Sequence, residues 1–118
     1  MSKKTAAYLA GLIDGEGCLE IQKRKKKECI GEIAYVPRVR ICMTNKEIIE
    51  WLRNSFGGYI FERAANGNQR KSWTWALLYR KVKPFIDAIY PYLRVKKKQA
   101  EILKKFLKTY EKNRPDVY

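Results

Sequence analysis

The stretch that decides the fold lies at residues 9–17, which read LAGLIDGEG. The apolar and small residues predict a short helix, from about Ala6 to Asp14 with Thr5 as its cap, that stops at glycine. The helix C-terminus carries a partial negative charge, so the carboxylate of Glu16 is unfavourable there unless a cation lies between them. Hard divalent cations such as Mg²⁺ take carboxylate and backbone carbonyl oxygens as ligands. A core helix with an ordinary glycine stop explains the apolar residues but not Gly-Glu-Gly.

These nine residues resemble the signature of the LAGLIDADG homing endonucleases, with Glu16 in place of an aspartate of the family name. The resemblance implies that Glu16 is a metal ligand and a catalytic acid, with the carbonyl of Gly15 beside it as a second ligand. It also implies that each motif helix packs against a second copy of itself and presents one acid to DNA.

The composition points to a polyanionic partner. The chain has 118 residues, enough for a single domain over residues 1–118, and carries 26 Lys and Arg against 12 Asp and Glu, a net charge of +14. Nucleic acid is the leading partner, and an anionic membrane surface is the competitor. No stretch approaches the roughly 18 apolar residues that a spanning helix needs, and no signal peptide is visible. We therefore expect no membrane partner and an intracellular protein, in the cytoplasm of a prokaryote or in an organelle.

Cysteine and histidine usage excludes several mechanisms. Cys18, Cys29 and Cys42 are widely spaced and odd in number, and the chain has no histidine. This argues against a zinc site and a disulfide framework, and suits a reducing compartment. It excludes Ser-His-Asp and Cys-His mechanisms.

The first helix offers a face of small residues to a neighbour. Ala7 and Gly11 lie one turn apart and Ala10 adjoins them, while Leu9, Leu12 and Ile13 would face the protein's own core. Packing of these small residues under the sheet is the alternative. Because the chain holds one copy of the motif, the resemblance favours a homodimer. The expected interface residues are Ala7, Ala10, Gly11 and Asp14.

Residues 18–24 and 35–43 alternate as two half-buried strands of a hairpin, with a basic run at residues 23–27 near its tip. One face carries Leu19, Ile21, Val39, Ile41 and Met43. The opposite face is polar and is expected to contact DNA, through Glu20, Gln22, Arg24, Lys26, Arg38, Arg40 and Cys42. Ordinary surface arginines paired with Glu20 are the alternative, and both can hold if Glu20 orients an arginine before DNA arrives.

A second hairpin is predicted at residues 59–63 and 69–79 around an Asn66-Gly67 turn. Ser72, Thr74 and Ala76 share one face of the return strand, and Trp73, Trp75, Leu77 and Tyr79 share the other. We interpret the tryptophans as core residues rather than base-stacking platforms. The residues expected to contact DNA here are Arg63, Arg70, Ser72 and Thr74.

Three further helices complete an α+β pattern. Residues 44–47 read as a capping box before a helix that ends at Gly57-Gly58. A short helix carries Pro84 in its first turn, and the last helix shows Leu103, Phe106, Leu107 and Tyr110 on one side. The order α-β-β-α-β-β-α-α predicts one antiparallel four-stranded sheet with helices on one face. The resemblance agrees, because it implies a saddle-shaped sheet whose concave face lies on DNA.

The resemblance extends to residues 92–100, which are similar to the segment around the active-site lysine of the single-motif, homodimeric members. It gives Lys96 a catalytic place near the scissile phosphate, Asn45 a role in holding water, and Lys98 a DNA contact. Solvated helix-start residues are the alternative for these lysines and for Asn45. By the same resemblance, Phe61 and Leu78 fall at sheet positions where members of the family carry polar side chains that read DNA.

The function expected from the resemblance is a site-specific endonuclease that cuts a long, near-palindromic double-stranded DNA as a homodimer. Mg²⁺ or Mn²⁺ would support the cut, and Ca²⁺ would bind without supporting it. A non-cleaving RNA-splicing maturase or DNA-binding regulator is the alternative. A small ribosomal-type RNA-binding protein would explain the charge but not Gly15-Glu16-Gly17.

Overall fold

The computed structural model describes residues 1–25, 33–68 and 70–113, without the side chains of residues 110–113. The elements follow the predicted order. They are α1 (Lys3–Glu16), β1 (Gly17–Lys25), β2 (Ile33–Met43), α2 (Lys46–Phe56), β3 (Tyr59–Arg63), β4 (Ser72–Leu78), α3 (Val82–Ile89) and α4 (Lys97–Asn113). Short 3₁₀ turns at Tyr79–Lys81 and Tyr90–Tyr92 flank α3. Lys26, Cys29, residue 69 and the side chain of Tyr110, which entered the predictions, lie outside the described residues.

The four strands form one antiparallel sheet in the order β1-β2-β4-β3. Both hairpins therefore lie side by side, with β2 and β4 in the centre. One face packs against the helices through a continuous core of Val39, Ile41, Trp75 and Leu77 with apolar residues of α1, α3 and α4. This confirms the predicted α+β fold.

Helix α1 is longer at both ends than the sequence predicted. Ser2, not Thr5, is its cap, because the Ser2 hydroxyl accepts a hydrogen bond from the Thr5 N–H at 3.1 Å. Gly15 does not end the helix, so Glu16 is its last residue rather than a residue beyond it. The chain enters β1 at Gly17, where an added Cβ would lie 2.7 Å from Ile13 Cα. A larger residue at Gly17 would clash with the last turn of α1, so the chain needs glycine where it leaves the helix.

Helix α2 begins one residue later than a capping box at Thr44 would place it. Its cap is Asn45, whose Oδ1 accepts a hydrogen bond from the Ile48 N–H at 3.2 Å. Since β2 continues to Met43, Thr44 still belongs to the connection that leaves the sheet.

Trp75 is the centre of the core under β4, as predicted. It is fully buried, and its indole N–H donates to the Gly57 carbonyl oxygen at 2.8 Å. Its ring lies 5.4 Å from that of Phe85. Trp73 is only partly buried, and its indole N–H donates to Glu62 at 3.3 Å.

In the described part of the chain, no helix has both the length and the apolar character needed to cross a bilayer.

Gly58 is the most constrained glycine of the β3 entry, with φ of +89° and a Cβ position 2.3 Å from the Ala76 carbonyl oxygen. We expect Gly58→Ala to lower the free energy of unfolding by about 2 to 5 kcal/mol, because it adds a steric clash to an unfavourable backbone conformation. Gly67→Ala is the matched control. Gly67 has φ of +61° but open space around it, so the loss should be only about 1 to 2 kcal/mol. Equal losses in urea unfolding would contradict the close approach at Gly58.

Candidate functional site

The C-terminal end of α1 holds a lysine from the far end of the chain. The Lys96 ammonium donates to the Ile13 carbonyl oxygen at 2.8 Å and to the Asp14 carbonyl oxygen at 3.0 Å. These carbonyls belong to the last turn of α1, where the helix is partly negative, and the Ile13 carbonyl also accepts the Gly17 N–H. Lys96 therefore places a positive charge at the partly negative end of α1.

The carboxylate of Asp14 completes a reciprocal tie between the same two segments. Its Oδ2 accepts the Arg94 N–H at 2.9 Å, and its Oδ1 accepts the N–H groups of Val95 at 3.1 Å and Lys96 at 3.0 Å. Burial alone would raise the pKa of Asp14. The three backbone hydrogen bonds and the Lys96 charge outweigh this, so the pKa lies below its usual value.

The tie changes the interpretation of Asp14. The sequence placed this residue in a dimer interface, whereas the structure uses its carboxylate within the chain to hold residues 94–96. Sequence reasoning missed this role because the partners are backbone groups 80 to 82 positions away. The only available signal was that residues 94–96 precede α4, where N–H groups need acceptors.

The outer face of α1 is open in part. Ala7 and Gly11 are exposed, and a Cβ added at Gly11 or Gly15 would meet no atom within 4 Å. Ala10, by contrast, is fully buried in the chain's own core, so the expectation that it faces a second helix is wrong. Leu12 is only partly buried rather than a full core residue.

Glu16 is exposed at the end of α1, and Gly15 beside it is exposed as well. A carboxylate and a backbone carbonyl are hard oxygen donors, which fits Mg²⁺ or a similar divalent ion. Among the described residues, no group of three or more acidic, cysteine or histidine side chains is placed to hold a metal. The residues at this end of α1 thus fit one half of a metal site.

Asn45 lies at the start of α2, where its Oδ1 is engaged as the helix cap. The described hydrogen bonds bring Lys96 to the end of α1, but they join Asn45 neither to Lys96 nor to the end of α1. Its role in holding water stays a prediction.

The sheet face opposite the helices carries the arginines expected to contact DNA. Glu20 lies directly across from Arg38 and forms an ion pair with it, and Arg40 Nε lies 3.3 Å from Glu20 Oε1. The Arg38 side chain is 14% exposed and that of Arg40 is 39% exposed. Glu20 therefore holds Arg38 by a hydrogen bond and an ion pair, whereas the buried Arg40 Nε lies at ion-pair distance from Glu20 but forms no hydrogen bond within the described part of the chain. Glu20 leaves a net charge of +1 on the three side chains.

Other predicted contact residues surround these arginines. Arg24 Nε donates to Gln22 Oε1 at 2.9 Å, and the thiol of Cys18 lies 3.4 Å from Glu20 Oε2. Arg63, Arg70 and Lys98 are exposed, and Cys42 and Ser72 are partly buried. Thr74 is only 4% exposed, so it is not available for the predicted contact. The larger Phe61 lies directly opposite it on β3.

The same fold occurs in solved structures of homing endonucleases. I-CvuI in complex with its target in the presence of calcium has a TM-score of 0.77 and 17% identity, over 90% of this chain and 67% of that one. The archaeal intron-encoded I-Vdi141I complexed with DNA has a TM-score of 0.74 and 20% identity, over 93% and 70%. I-SmaMI bound to cleaved DNA has a TM-score of 0.76 and 14% identity, over 91% and 37%.

Residues 9–111 match the family model for the LAGLIDADG endonucleases, and the chain therefore belongs to this family. A search among curated protein sequences found no match.

The tie at the end of α1 predicts a pH-dependent contribution to stability. Because the folded-state pKa of Asp14 is lowered, its contribution is present above the unfolded pKa of about 3.9 and is lost as pH falls through the folded value. We expect Asp14→Asn to cost about 1 to 3 kcal/mol at pH 7 without divalent metal, since an amide supplies one acceptor where two are used. The difference from the wild type should shrink at pH 3, as measured by urea unfolding.

Asp87→Asn is the matched control, because Asp87 is an exposed carboxylate that pairs with Lys83 and Lys104 at the surface. It should cost less than about 1 kcal/mol at pH 7. An Asp14→Asn penalty that is the same at pH 7 and pH 3 would refute the ionised tie.

Proposed function

We propose that this protein is a site-specific, divalent-metal-dependent endonuclease that cuts double-stranded DNA as a homodimer. The observation that carries the proposal is the exposed carboxylate of Glu16 at the end of a helix whose outer face is open at Gly11. Family membership supports the reaction class, and solved proteins of the same fold are homing endonucleases complexed with DNA.

Among the described residues, one chain offers a single exposed acid at this end of α1, which makes a poor site for more than one metal ion. Two chains that meet at the outer faces of α1 bring two copies of Glu16 together. Like charges at close range repel strongly, and divalent cations between them relieve that repulsion. A two-fold arrangement of this kind also matches a near-palindromic target. Homodimerisation, metal dependence and target symmetry therefore follow from one motif per chain.

The residues around Glu16 divide the work of phosphodiester hydrolysis. A bound Mg²⁺ or Mn²⁺ would supply Lewis-acid activation of water and charge neutralisation at the phosphate. Glu16 and the Gly15 carbonyl would hold the metal. Lys96 has its ammonium on the last turn of α1, within the region that the scissile phosphate would approach, and would stabilise the developing charge. Asn45 would position water through its side-chain NH₂ group, since its Oδ1 caps α2.

The arginine face of the sheet would bind the duplex. Arg38 is already aligned by its hydrogen bond and ion pair with Glu20, so less of its side-chain entropy is lost when it contacts a phosphate or a guanine edge. Arg40, at ion-pair distance from the same carboxylate, would add a second positive group beside it. The exposed Arg63, Arg70 and Lys98 would extend the positive surface. With a net charge of +14, binding should be strongly salt-dependent.

Glu16→Gln tests the metal site. We expect cleavage of a selected target duplex in Mg²⁺ to fall by about 10³-fold or more, because the metal-held charge stabilisation is worth several kcal/mol. Duplex binding in Ca²⁺ should persist within a few-fold. Glu47→Gln, a change at another exposed glutamate near a helix end, should cut normally. Undiminished cleavage by Glu16→Gln would remove this residue from the mechanism. A wild-type protein that binds its selected duplex but does not cut it in Mg²⁺ would instead favour a non-cleaving binder.

Gly11→Leu tests the dimer. A larger side chain fits within one chain, because nothing lies within 4 Å of the added Cβ, and leucine favours the helix by up to about 0.8 kcal/mol over glycine. We therefore expect a folded monomer in sedimentation velocity where the wild type is a dimer. Lys105→Leu on the exposed side of α4 should remain dimeric. A dimeric Gly11→Leu variant would refute association through α1.

A further inference from the structure

Two exposed aromatic side chains lie together on the edge strand β3. Tyr59 is 38% exposed and Phe61 is 43% exposed, and their rings stack with centroids 5.9 Å apart and planes at 27°. They are alternate residues of the strand, so both point to the same face of the sheet. We call them the aromatic pair.

The aromatic pair shares its face with the arginines. Tyr59 lies opposite Ala76, and Ala76 lies opposite Arg40 on the next strand. Phe61 similarly lies opposite Thr74, in the row of Cys42. Directly opposed residues in an antiparallel sheet project to the same side. The pair therefore lies on the face away from the helices, with β4 between it and the charged β1-β2 hairpin.

Nothing polar on β4 is accessible between the pair and the arginines. Ala76 is fully buried and Thr74 is 4% exposed, although both belong to the face that the helices leave uncovered. On β3, the exposed side chains of this face are therefore the two aromatic rings and Arg63 at the end of the strand. The face thus places an apolar patch, formed by the aromatic pair, among charged side chains of β1, β2 and β3.

A partner for this face must offer anionic or acceptor groups and apolar groups side by side. The major groove of DNA does so, since phosphates and guanine edges suit arginine and the C5 methyl of thymine is its one apolar base group. Base stacking fits less well. The two rings already stack on each other, so a base has no space between them, and the bases of a duplex are themselves stacked.

We propose that the aromatic pair reads thymine by contact with its C5 methyl group, so that each half-site of the target carries a required thymine opposite β3. This inference rests on the proposed DNA-binding function and deepens it by naming a specificity determinant. Phe61 has no polar side-chain atom, so discrimination at its base comes from the methyl group alone. The Tyr59 hydroxyl can add a hydrogen bond to a neighbouring base edge or phosphate.

The test compares thymine with uracil, which differ only by this methyl group. The wild-type protein first selects its site from a randomised duplex library in Ca²⁺. Each selected thymine is then replaced in turn by deoxyuridine, and binding is measured. We expect at least one position per half-site where the replacement weakens binding about three- to tenfold, as burial of one methyl group predicts. Since this comparison uses the unchanged protein, it does not depend on whether a variant folds.

Variants then assign the effect to residues. Phe61→Ser should bring the thymine-to-uracil ratio at that position close to one, while positions read by the arginines keep their preference. Tyr35→Ser is the matched control. Tyr35 is a comparably exposed aromatic residue of β2, at 50%. It alternates with Val39 and Ile41 and so lies on the other face of the sheet from Phe61, so the thymine-to-uracil ratio should be unchanged.

The outcomes separate this inference from the function beneath it. If the protein binds its enriched site equally well with thymine or uracil at every position, the proposed role of the aromatic pair is overturned, while the endonuclease proposal remains intact. A ratio that survives in Phe61→Ser also overturns the assignment to this residue. A library from which no sequence is enriched contradicts site-specific DNA binding itself, and the inference fails with it.

Discussion

The reciprocal tie between Asp14 and residues 94–96 is the interaction on which the rest of this structure depends. The carboxylate at the end of α1 accepts three backbone N–H groups, and the Lys96 ammonium returns to the carbonyls of the same helix turn. Asp14 supplies acceptors for the N–H groups of residues 94–96, and Lys96 adds positive charge to the partly negative end of α1. The tie therefore fixes a lysine beside an acidic residue across 82 positions of sequence, before any ligand arrives.

Helix α1 serves two purposes because its two faces differ. Leu9, Ala10 and Ile13 are fully buried and anchor it under the sheet, while Ala7 and Gly11 leave its outer face open. Gly17 lets the chain turn at once into β1, so the polar face of the first hairpin begins directly after Glu16. The proposed catalytic end and the proposed DNA-binding face are thus adjacent for a local steric reason.

Much of the fold was predictable from periodicity. Alternation in β1 and β2 assigned Leu19, Val39 and Ile41 to the core, and helical spacing placed the buried Leu103 and Leu107 on one side of the last helix. Periodicity could not find the true caps, Ser2 and Asn45, because nearby Thr5 and Thr44 compete for the same role. The burial of Thr74 could not be predicted from alternation, because it depends on Phe61, the residue that β3 places opposite it. The role of Asp14 depended on distant backbone groups that carry no sequence signature.

The central claim is that each chain assembles half of a cleavage site and that two α1 ends complete it. The most direct test is a crystal structure of the protein with its selected duplex and Ca²⁺. The account predicts two chains with their α1 helices in contact, and Ca²⁺ bound by both copies of Glu16 at the centre of the DNA site. Helices that lie apart, or Ca²⁺ absent from the ends of α1, would contradict it.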